Sequence, residues 1–385
     1  MINRIILLVI DGFGIGAMPD GVGYGDADAN TLVHLAEAVD GLSVPNLEML
    51  GLGHLATIKG VRPMTQPTGC FGRLGFLSPG KDSVVGYWEI GGMVQKETPT
   101  VCVDGVPTKV IDVIEQIFGR KTIGRGIALM GTVLGRYGRE HMATGSPLLW
   151  TDGGNTCCVA MHESSMAPME FHQRCREIRK AVKDAGLLVR IVARPLTGQH
   201  DTLKPQVGRR DFLAEPSGLT MWDVLSRSGQ ITMGVGKVSD LFSGRGITKA
   251  LTTASGMAAL DEVIGLLNKV PRGLVCASLD LLSEEARQAA AAIQGFDRRL
   301  PDLFERLRIG DLVIVTGDHG RDLSLPEKTT TREYVPLLVT GPKLAHGVDL
   351  GTRSTAADVG QTIAEALGAD RVLIGESFLD ALRPG

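Results

Sequence analysis

Two uninterrupted apolar runs at opposite ends of the chain are each followed by an acidic residue. Residues 5–10 lead into Asp11, and residues 312–316 lead through Gly317 into Asp318. Runs of five or six mostly β-branched residues are typical of strands that are buried on both faces of a parallel sheet. Because ligands of α/β proteins bind beyond the carboxyl ends of such strands, the two acids are predicted to converge at one edge of the sheet.

Strand and helix patterns alternate along most of the chain. The first strand is followed by a loop rich in glycine and aspartate and by an amphipathic helix with Asn30 at its N-cap position. This alternation predicts an α/β fold with a doubly wound, mainly parallel sheet. Further strands are predicted at 231–238, 274–279, 312–316 and 335–340, and helices at 217–228, 283–307 and 355–367.

The middle of the chain has a different pattern. Short helices and strands follow one another there without regular alternation, which predicts an α+β cap domain of residues 97–216 inserted into a core of residues 1–96 and 217–385. Because the parallel pattern stops before this segment and resumes after it, the cap is expected to cover the carboxyl edge of the sheet as a lid.

Composition and charge exclude several classes of protein. Hydrophobic residues make up 43% and charged residues 22% of the 385 residues, which is typical of globular domains and not of disordered chains. The net charge of −3 gives no general attraction to nucleic acid or to an anionic membrane, so a small molecule is the expected partner. The sequence has no C-x-x-C pair, no run of membrane-spanning length and no secretory signal pattern, so a cytoplasmic protein with reduced cysteines is expected. The oligomeric state stays open.

The residues that follow the predicted strands are suited to holding a divalent metal ion. Asp318 and His319 stand together after one strand, Asp11 follows a second and Asp280 follows a third. Carboxylate oxygens and an imidazole nitrogen together form a common ligand set for divalent ions. An Asp-His-Gly triplet by itself is equally explained as a solvated turn, but acids at the ends of three separate strands favour a metal site.

A hydroxyl nucleophile is predicted in the loop between Gly80 and Gly86. Ser83 lies in this loop, close to Lys81. Coordination to a divalent ion stabilises an alkoxide, and a nearby lysine balances the charge of a phosphate group. Taken alone, the same loop is also explained as a solvated turn.

Several short motifs are distributed over nearly the whole chain. They are the stretch that begins with Gly25-Asp26 and ends with Asn30-Thr31-Leu32, the segments Gly80-Lys81-Asp82-Ser83 and Trp88-Glu89, residues 296–301, the triplet Asp318-His319-Gly320, and residues 331–336. The same motifs occur in the same order in phosphopentomutases, members of the alkaline phosphatase superfamily, which this chain therefore resembles. The resemblance implies an isomerase with a two-metal site, usually of manganese, and a hydroxyl that carries a phosphoryl group between oxygens 1 and 5 of ribose. Ser83 stands where the family has its phosphorylated threonine.

The resemblance implies that one metal pocket is intact. Asp11, Ser83, Asp318 and His319 match the family's ligands for the ion that activates the nucleophile. A divalent ion, expected to be manganese, is therefore predicted at these four residues.

The second metal pocket of the family is altered in this sequence. Asp280 matches a family ligand, but Glu285 and Thr330 stand where the family has histidines. These side chains offer only oxygen atoms, so a second ion is expected to be bound more weakly or to be absent. Glu285 is a candidate substitute ligand, and it is also explained without a metal as an acid in the first turn of a helix capped by Ser283.

Basic residues suited to a sugar phosphate are present. Lys237 and Arg194 match family positions that contact the phosphorylated sugar, which implies a phosphate clamp made of a point charge and a bidentate guanidinium. Arg209 and Arg210 lie in a predicted loop of the cap, where they either add to the clamp or are solvated.

Two departures from the family concern the substrate. Tyr87 stands where the family has a histidine, and Gly154 stands where its cap carries an aspartate that faces the substrate. The favoured hypothesis is a phosphomutase that acts on a small phosphorylated sugar through a phosphoserine at Ser83. The alternatives are a metal-dependent phosphate-ester hydrolase, disfavoured because a closed cap excludes water, and a non-catalytic ligand-binding descendant of the mutase, which the altered pocket favours.

Overall fold

The chain folds into two compact units, each with its own sheet. The computed structural model describes residues 2–98, 100, 102–185, 187, 189–199, 202–206, 208–213, 215–325 and 330–384. The core unit comprises Met1–Lys96, Pro216–Ser239 and Gly244–Gly385, and the insert unit comprises Glu97–Glu215 and Asp240–Ser243. The role of a cap for the insert unit stays a prediction.

The described residues form fourteen strands and eleven α-helices. The strands are β1 (Arg4–Ile10), β2 (Cys70–Leu74), β3 (Ile123–Ile127), β4 (Leu148–Thr151), β5 (Thr156–His162), β6 (Arg190–Thr197), β7 (Lys204–Pro205), β8 (Arg210–Phe212), β9 (Thr232–Val235), β10 (Lys249–Leu251), β11 (Gly273–Leu279), β12 (Asp311–Gly317), β13 (Val335–Thr340) and β14 (Asp349–Arg353). The helices are α1 (Thr31–Ala38), α2 (Pro45–Met49), α3 (Ser83–Ile90), α4 (Thr108–Phe118), α5 (Met130–Thr144), α6 (Pro168–Asp184), α7 (Met221–Arg227), α8 (Val238–Leu241), α9 (Gly256–Leu266), α10 (Ala286–Phe304) and α11 (Ala357–Ala366).

The core unit is built on a mainly parallel sheet. Its strand order is β10-β9-β11-β1-β12-β13-β2-β14. β1 lies between β11 and β12, runs parallel to both, and is buried at every residue. An uninterrupted apolar sequence is what a central parallel strand requires, because both of its faces pack against other elements. The predicted α/β fold with a mainly parallel sheet is confirmed.

β13 departs from the parallel arrangement expected from the alternating pattern. It runs antiparallel to both of its neighbours, β12 and β2. A parallel connection needs a crossover, usually a helix, whereas the described part of the connection from β12 to β13 contains no helix. The chain therefore turns back at the carboxyl edge and pairs beside the strand that it has just left.

The strand predicted at 231–238 is shorter than expected. β9 ends at Val235, Gly236 adopts the left-handed region with a φ of 77°, and α8 begins at Val238. A Cβ at Gly236 would also lie 2.8 Å from the carbonyl oxygen of Ser278, so both conformation and space require glycine here. This turn places Lys237 just beyond the carboxyl end of β9.

The insert unit contains a second, mixed sheet. Its strand order is β3-β4-β5-β6-β7, with β8 paired to β6. Cys157 and Cys158 on β5 point to opposite faces, because each belongs to a different apolar cluster, and all six cysteines of the chain are free and buried. β3 and α5 were not predicted from the sequence, because glycines interrupt the apolar periodicity of both segments. Among the described helices of the chain, none is long and apolar enough to span a membrane.

Candidate metal centre

Three aspartates directly follow neighbouring strands at the carboxyl edge of the sheet in the core unit. The register of β1 with its parallel neighbours places Ile10 opposite the last residue of β11 and opposite the last residue of β12. The residues that follow the three strands are Asp11, Asp280 and Asp318. The backbone positions of these acids are therefore adjacent, and the directions of their side chains decide which of them form a site.

Asp11, Asp318 and His319 bring their ligand atoms together. One such atom from each residue lies within 4.8 Å of the others. Nε2 of His319 is 3.5 Å from an oxygen of Asp11 and 3.5 Å from an oxygen of Asp318. Nδ1 of His319 donates to the carbonyl of Gly320 at 2.8 Å, so in the neutral ring Nε2 carries the lone pair and faces the carboxylates. This is the tautomer in which a histidine binds a metal through Nε2.

One oxygen of Asp318 has no hydrogen-bond partner although it is buried. Oδ1 accepts from the N–H of Gly12 at 3.1 Å, whereas Oδ2, 3.5 Å from Nε2 of His319, accepts no hydrogen bond. Burial, together with the charge of Asp11, raises the pKa of Asp318 against the opposing charges of His319 and Lys237. An unpartnered carboxylate oxygen beside a second carboxylate is costly unless a cation joins them. The donor set therefore fits a divalent ion.

Asp11 is the more acidic of the two carboxyl groups. Burial alone would raise its pKa, but the charges of Lys237, His319 and Arg321 hold the pKa of Asp11 below its usual range. Nζ of Lys237 donates to Oδ2 of Asp11 and lies 3.1 Å from Oγ of Ser83. Asp11 is therefore ionised throughout the physiological range, as a metal ligand must be.

Ser83 reaches this group from the first turn of α3. The carboxylate of Asp82 caps the helix by accepting from the N–H of Val84 at 2.8 Å. Oγ of Ser83 lies 3.1 Å from Nε2 of His319 and 3.5 Å from Oδ2 of Asp11. The hydroxyl thus stands at the metal-ligand group, at the end of a helix whose dipole favours negative charge.

Gly86 allows α3 to reach the end of β12. A Cβ at this position would lie 1.9 Å from the carbonyl oxygen of Asp318, so no side chain fits. Sequence analysis took Gly86 as the flanking glycine of a loop and placed Ser83 in that loop. Asp82, a good N-cap residue followed by the apolar run 84–90, was the available signal that a helix begins here.

Lys81 is paired within the core unit. Nζ of Lys81 lies 2.9 Å from both carboxylate oxygens of Asp26 and 3.2 Å from the carbonyl of Tyr24. Lys81 also lines a small pocket together with Asp318 and His319. Its predicted role in balancing a phosphate charge stays a prediction.

Glu285, one of the residues expected at a second ion, is engaged elsewhere. Glu285 is exposed, and its Oε2 accepts from Nε2 of Gln288 at 2.6 Å. Within the described part of the chain, neither Asp280 nor Glu285 belongs to a group of three candidate ligands. The expected helix start was also wrong: α10 begins after Glu285, and the hydroxyl of Ser283 donates to the carbonyl of Glu285 instead of capping the helix. The donor set does not fit a second ion.

The arginines proposed to contact the substrate lie in the insert unit. Arg209 donates to both oxygens of Asp211, at 2.9 and 3.1 Å, and Arg210 donates to Asp240 at 3.3 Å. Arg194 lies on β6, and its Nε is buried without a hydrogen-bond partner. The roles of these three residues in binding phosphate stay predictions.

Glu333 organises the carboxyl edge, although sequence analysis gave it no role. Its buried carboxylate accepts from the N–H groups of Gly16 and Thr31, at 3.0 and 2.9 Å, and from the hydroxyls of Thr31 and Thr331, both at 2.6 Å. Glu333 thereby binds an N–H at the start of α1, where Asn30 was expected to act. Asn30 makes no side-chain cap, and its Oδ1 is buried without a partner. Nothing local in the sequence signals a cap supplied from so far along the chain.

The whole chain is similar to known proteins. A family model described as the metalloenzyme superfamily matches residues 3–371. The phosphopentomutase of Alkaliphilus oremlandii is 36% identical over 388 residues, which cover 99% of this chain and 100% of that protein. The phosphopentomutase of Carboxydothermus hydrogenoformans is 38% identical over 387 residues, again 99% of this chain and 100% of the relative. The similarity therefore extends over both units.

Proposed function

This chain belongs to the phosphopentomutases of the metalloenzyme superfamily, and from that premise we propose that it moves a phosphoryl group between two oxygens of one pentose through a phosphoserine at Ser83. At the coarser level it is a metal-dependent phosphomutase, an isomerase that transfers a phosphoryl group. The observation that supports the proposed serine intermediate is the distance of 3.1 Å between Oγ of Ser83 and Nε2 of His319, within a group of metal-ligating side chains.

We propose that one divalent ion, manganese, is held by Asp11, Ser83, Asp318 and His319. The unpartnered Oδ2 of Asp318 supports this assignment, because a cation would satisfy it. Two carboxylates, an imidazole and a hydroxyl form a set that manganese accepts. When bound there, such an ion supplies a Lewis acid that favours the ionised form of the serine hydroxyl.

In the proposed reaction the phosphoryl group alternates between the serine and the sugar. A bond forms between phosphorus and Oγ of Ser83 while the bond between phosphorus and a sugar oxygen breaks, and the proton lost by Ser83 ends on that departing oxygen. In the return step phosphorus bonds to the other sugar oxygen while its bond to Oγ breaks, and the proton of that sugar hydroxyl passes to Ser83. Lys237 lies 3.1 Å from Oγ of Ser83 and supplies a positive charge to the phosphoryl oxygens. The N-terminal end of α3 favours the negative phosphoserine.

The ring of Tyr87 lies beside the ammonium group of Lys237. Tyr87 is buried on α3, and Nζ of Lys237 stands 5.9 Å from the centre of its ring. A cation–π contact of this kind orients the ammonium group without neutralising it. We therefore propose that the replacement of the family histidine by Tyr87 alters how Lys237 is held.

The proposal is tested by following the fate of the phosphoryl group. Purified protein with manganese and ribose 1-phosphate is expected to yield ribose 5-phosphate in ³¹P NMR spectra, without release of inorganic phosphate. Mass spectrometry of the same sample is expected to find phosphate on Ser83. Release of inorganic phosphate without isomer formation would instead identify a hydrolase, and ligand binding without either product would identify a non-catalytic descendant.

A matched pair of variants separates the hydroxyl from the fold. Ser83→Ala removes Oγ and is expected to abolish both the isomerisation and the phosphopeptide. Ser83→Thr keeps the hydroxyl, in the form that the family uses, and is expected to retain both. Equal activity of Ser83→Ala and the unmodified enzyme would disprove the serine intermediate.

A further inference from the structure

A positively charged side chain lies among the ends of β1, β11 and β12, the three strands that Asp11, Asp280 and Asp318 follow. Arg321 follows the end of β12, and a Cβ built on Gly12 would lie 2.8 Å from its Cβ. Nη1 of Arg321 donates to the carbonyl of Leu282, beyond the end of β11, at 2.9 Å. The side chain therefore extends from the end of β12, past the end of β1, to the end of β11.

The backbone of Arg321 is held by the buried network around Glu333. The N–H of Arg321 donates to Oγ1 of Thr31 at 2.8 Å, and that hydroxyl donates to Glu333 at 2.6 Å. With its backbone and its guanidinium both anchored, Arg321 places a permanent charge at a defined position. An arginine suits such a place, because its guanidinium stays protonated in proteins and its planar donors match phosphate oxygens.

The side chain of Arg321 runs beside Gly12, the residue that follows Asp11. A Cβ built on Gly12 would lie 3.7 Å from Cδ of Arg321. Two cations in neighbouring positions repel each other strongly in a partly buried site. A fixed guanidinium among the ends of these strands therefore disfavours a second metal ion there, which agrees with the exposed position of Glu285 and its hydrogen bond to Gln288.

On the basis of the function proposed above, we propose that the guanidinium of Arg321 takes the place of the second metal ion. The enzyme then binds one divalent ion per chain, and Arg321 supplies the remaining positive charge for the phosphoryl group in transit. Fixed guanidinium groups serve phosphoryl transfer elsewhere by stabilising the same developing charge.

Metal stoichiometry tests this proposal without reference to turnover. Protein stripped with EDTA and dialysed against manganese is expected to retain one ion per chain. The variant Glu285→His/Thr330→His is expected to retain one as well, because Arg321 is still present. Adding Arg321→Ala to that pair is expected to give two. Two ions in the unmodified chain or in the double variant, or only one in the triple variant, would overturn the proposal.

Kinetics test whether the charge itself matters. Arg321→Ala is expected to lower kcat about 100-fold, whereas Arg321→Lys, which keeps the charge, is expected to lose about tenfold or less. Guanidinium ion added at millimolar concentration is expected to restore part of the activity of Arg321→Ala, an effect that a merely structural role would not produce. The control Arg287→Ala removes an exposed arginine from α10 and is expected to leave kcat unchanged.

Failure of the proposed function and failure of the proposal for Arg321 give different experimental results. A chain that binds one manganese ion but does not isomerise pentose phosphates would refute the proposed substrate and leave the replacement of the ion by Arg321 standing. A pentose phosphate isomerase in which Arg321→Ala and Arg321→Lys both keep the native kcat would refute the replacement alone.

Discussion

Strands β1 and β12 carry buried charged side chains at both of their ends, but the hydrogen bonding of these side chains is complete only at the amino ends. At the amino ends, Nε of Arg4 donates to Oδ1 of Asp311 at 3.0 Å, and a second guanidinium nitrogen binds the other oxygen. The remaining nitrogen of Arg4 donates to the carbonyls of Leu267 and Val270. Every charge at this end has an opposite charge and hydrogen-bond partners.

At the carboxyl ends of the same strands the pairing is incomplete. Asp11 is paired with Lys237, whereas Oδ2 of Asp318 is buried without a hydrogen-bond partner. A fully paired ion pair contributes to a defined fold, whereas an unsatisfied carboxylate stores free energy that ligand binding releases. Burial and charge are common to both ends. The end that carries the metal-ligand group differs in having a buried carboxylate oxygen without a hydrogen bond.

The largest expected effect is on activity at the carboxyl end. Asp318→Asn keeps an oxygen that accepts from Gly12 but removes the charge, so kcat is expected to fall roughly 1000-fold, as electrostatic stabilisation is lost. Because a like charge beside Asp11 also disappears, the midpoint of thermal unfolding in EDTA is expected to stay equal or to rise. Activity within tenfold of the unmodified enzyme, or a large fall in the midpoint, would show that the two ends do not differ as described.

Breaking the pair at the amino end is expected to affect stability instead. Arg4→Met leaves Asp311 buried without its partner, so the free energy of unfolding in urea is expected to fall by about 3–5 kcal/mol. The fraction that remains folded is expected to keep its kcat. The double variant Arg4→Met/Asp311→Leu removes both charges and is expected to recover part of the loss; no recovery would contradict the role given to the pair.

The contact between α3 and the end of β12 gives a smaller effect. Gly86→Ala places a methyl group against the carbonyl oxygen of Asp318, so stability is expected to fall by about 1–3 kcal/mol and activity to fall with the displacement of Ser83. The control Gly135→Ala adds the same methyl group to α5, where no atom lies within 4 Å. There a gain of about 0.5–1 kcal/mol is expected. Equal effects of the two substitutions in chemical denaturation would argue against the close approach at Gly86.

The smallest effect is expected for a satisfied carboxylate in the insert unit. Burial would raise the pKa of Glu115, but Lys121, Thr122 and Arg125 lower it to about 2. A pKa below that of the unfolded chain gives stability that is present above about pH 4.5 and is lost as the pH falls toward 2. Because Lys121 is exposed, Glu115→Gln is expected to cost about 1 kcal/mol at pH 7 and only a small part of that at pH 2. A cost that is independent of pH in urea unfolding would contradict this.

The sequence predicted the parts of the core unit that depend on local patterns. The runs 5–10 and 312–316 appear as β1 and β12, because a continuous apolar segment has few alternatives to a strand buried on both faces. The parallel register then brings Asp11 and Asp318 to the same level, as their places after the two strands suggest. Asp318 and His319 could be predicted as metal ligands because they directly follow a strand that the apolar run 312–316 predicts.

Features that depend on distant parts of the chain could not be predicted in this way. The direction of β13 depends on how the connection from β12 returns, which apolar periodicity does not report. The cap of α1 comes from Glu333 and not from Asn30, although Asn30 is the better local candidate. Arg321 had no recognisable signal, because only the fold shows that its side chain crosses from one strand end to another.

The position of β1 in the sheet has a consequence for the synthesis of the protein. Both of its hydrogen-bonded neighbours, β11 and β12, come from the last third of the chain. During translation β1 therefore precedes both neighbours by more than half of these 385 residues, and its backbone groups stay unpaired until β11 and β12 have been synthesised. Nascent chains that end before β12 would leave one edge of β1 unpaired and would lack Asp318 and His319, so the metal centre forms only after β12 has been synthesised.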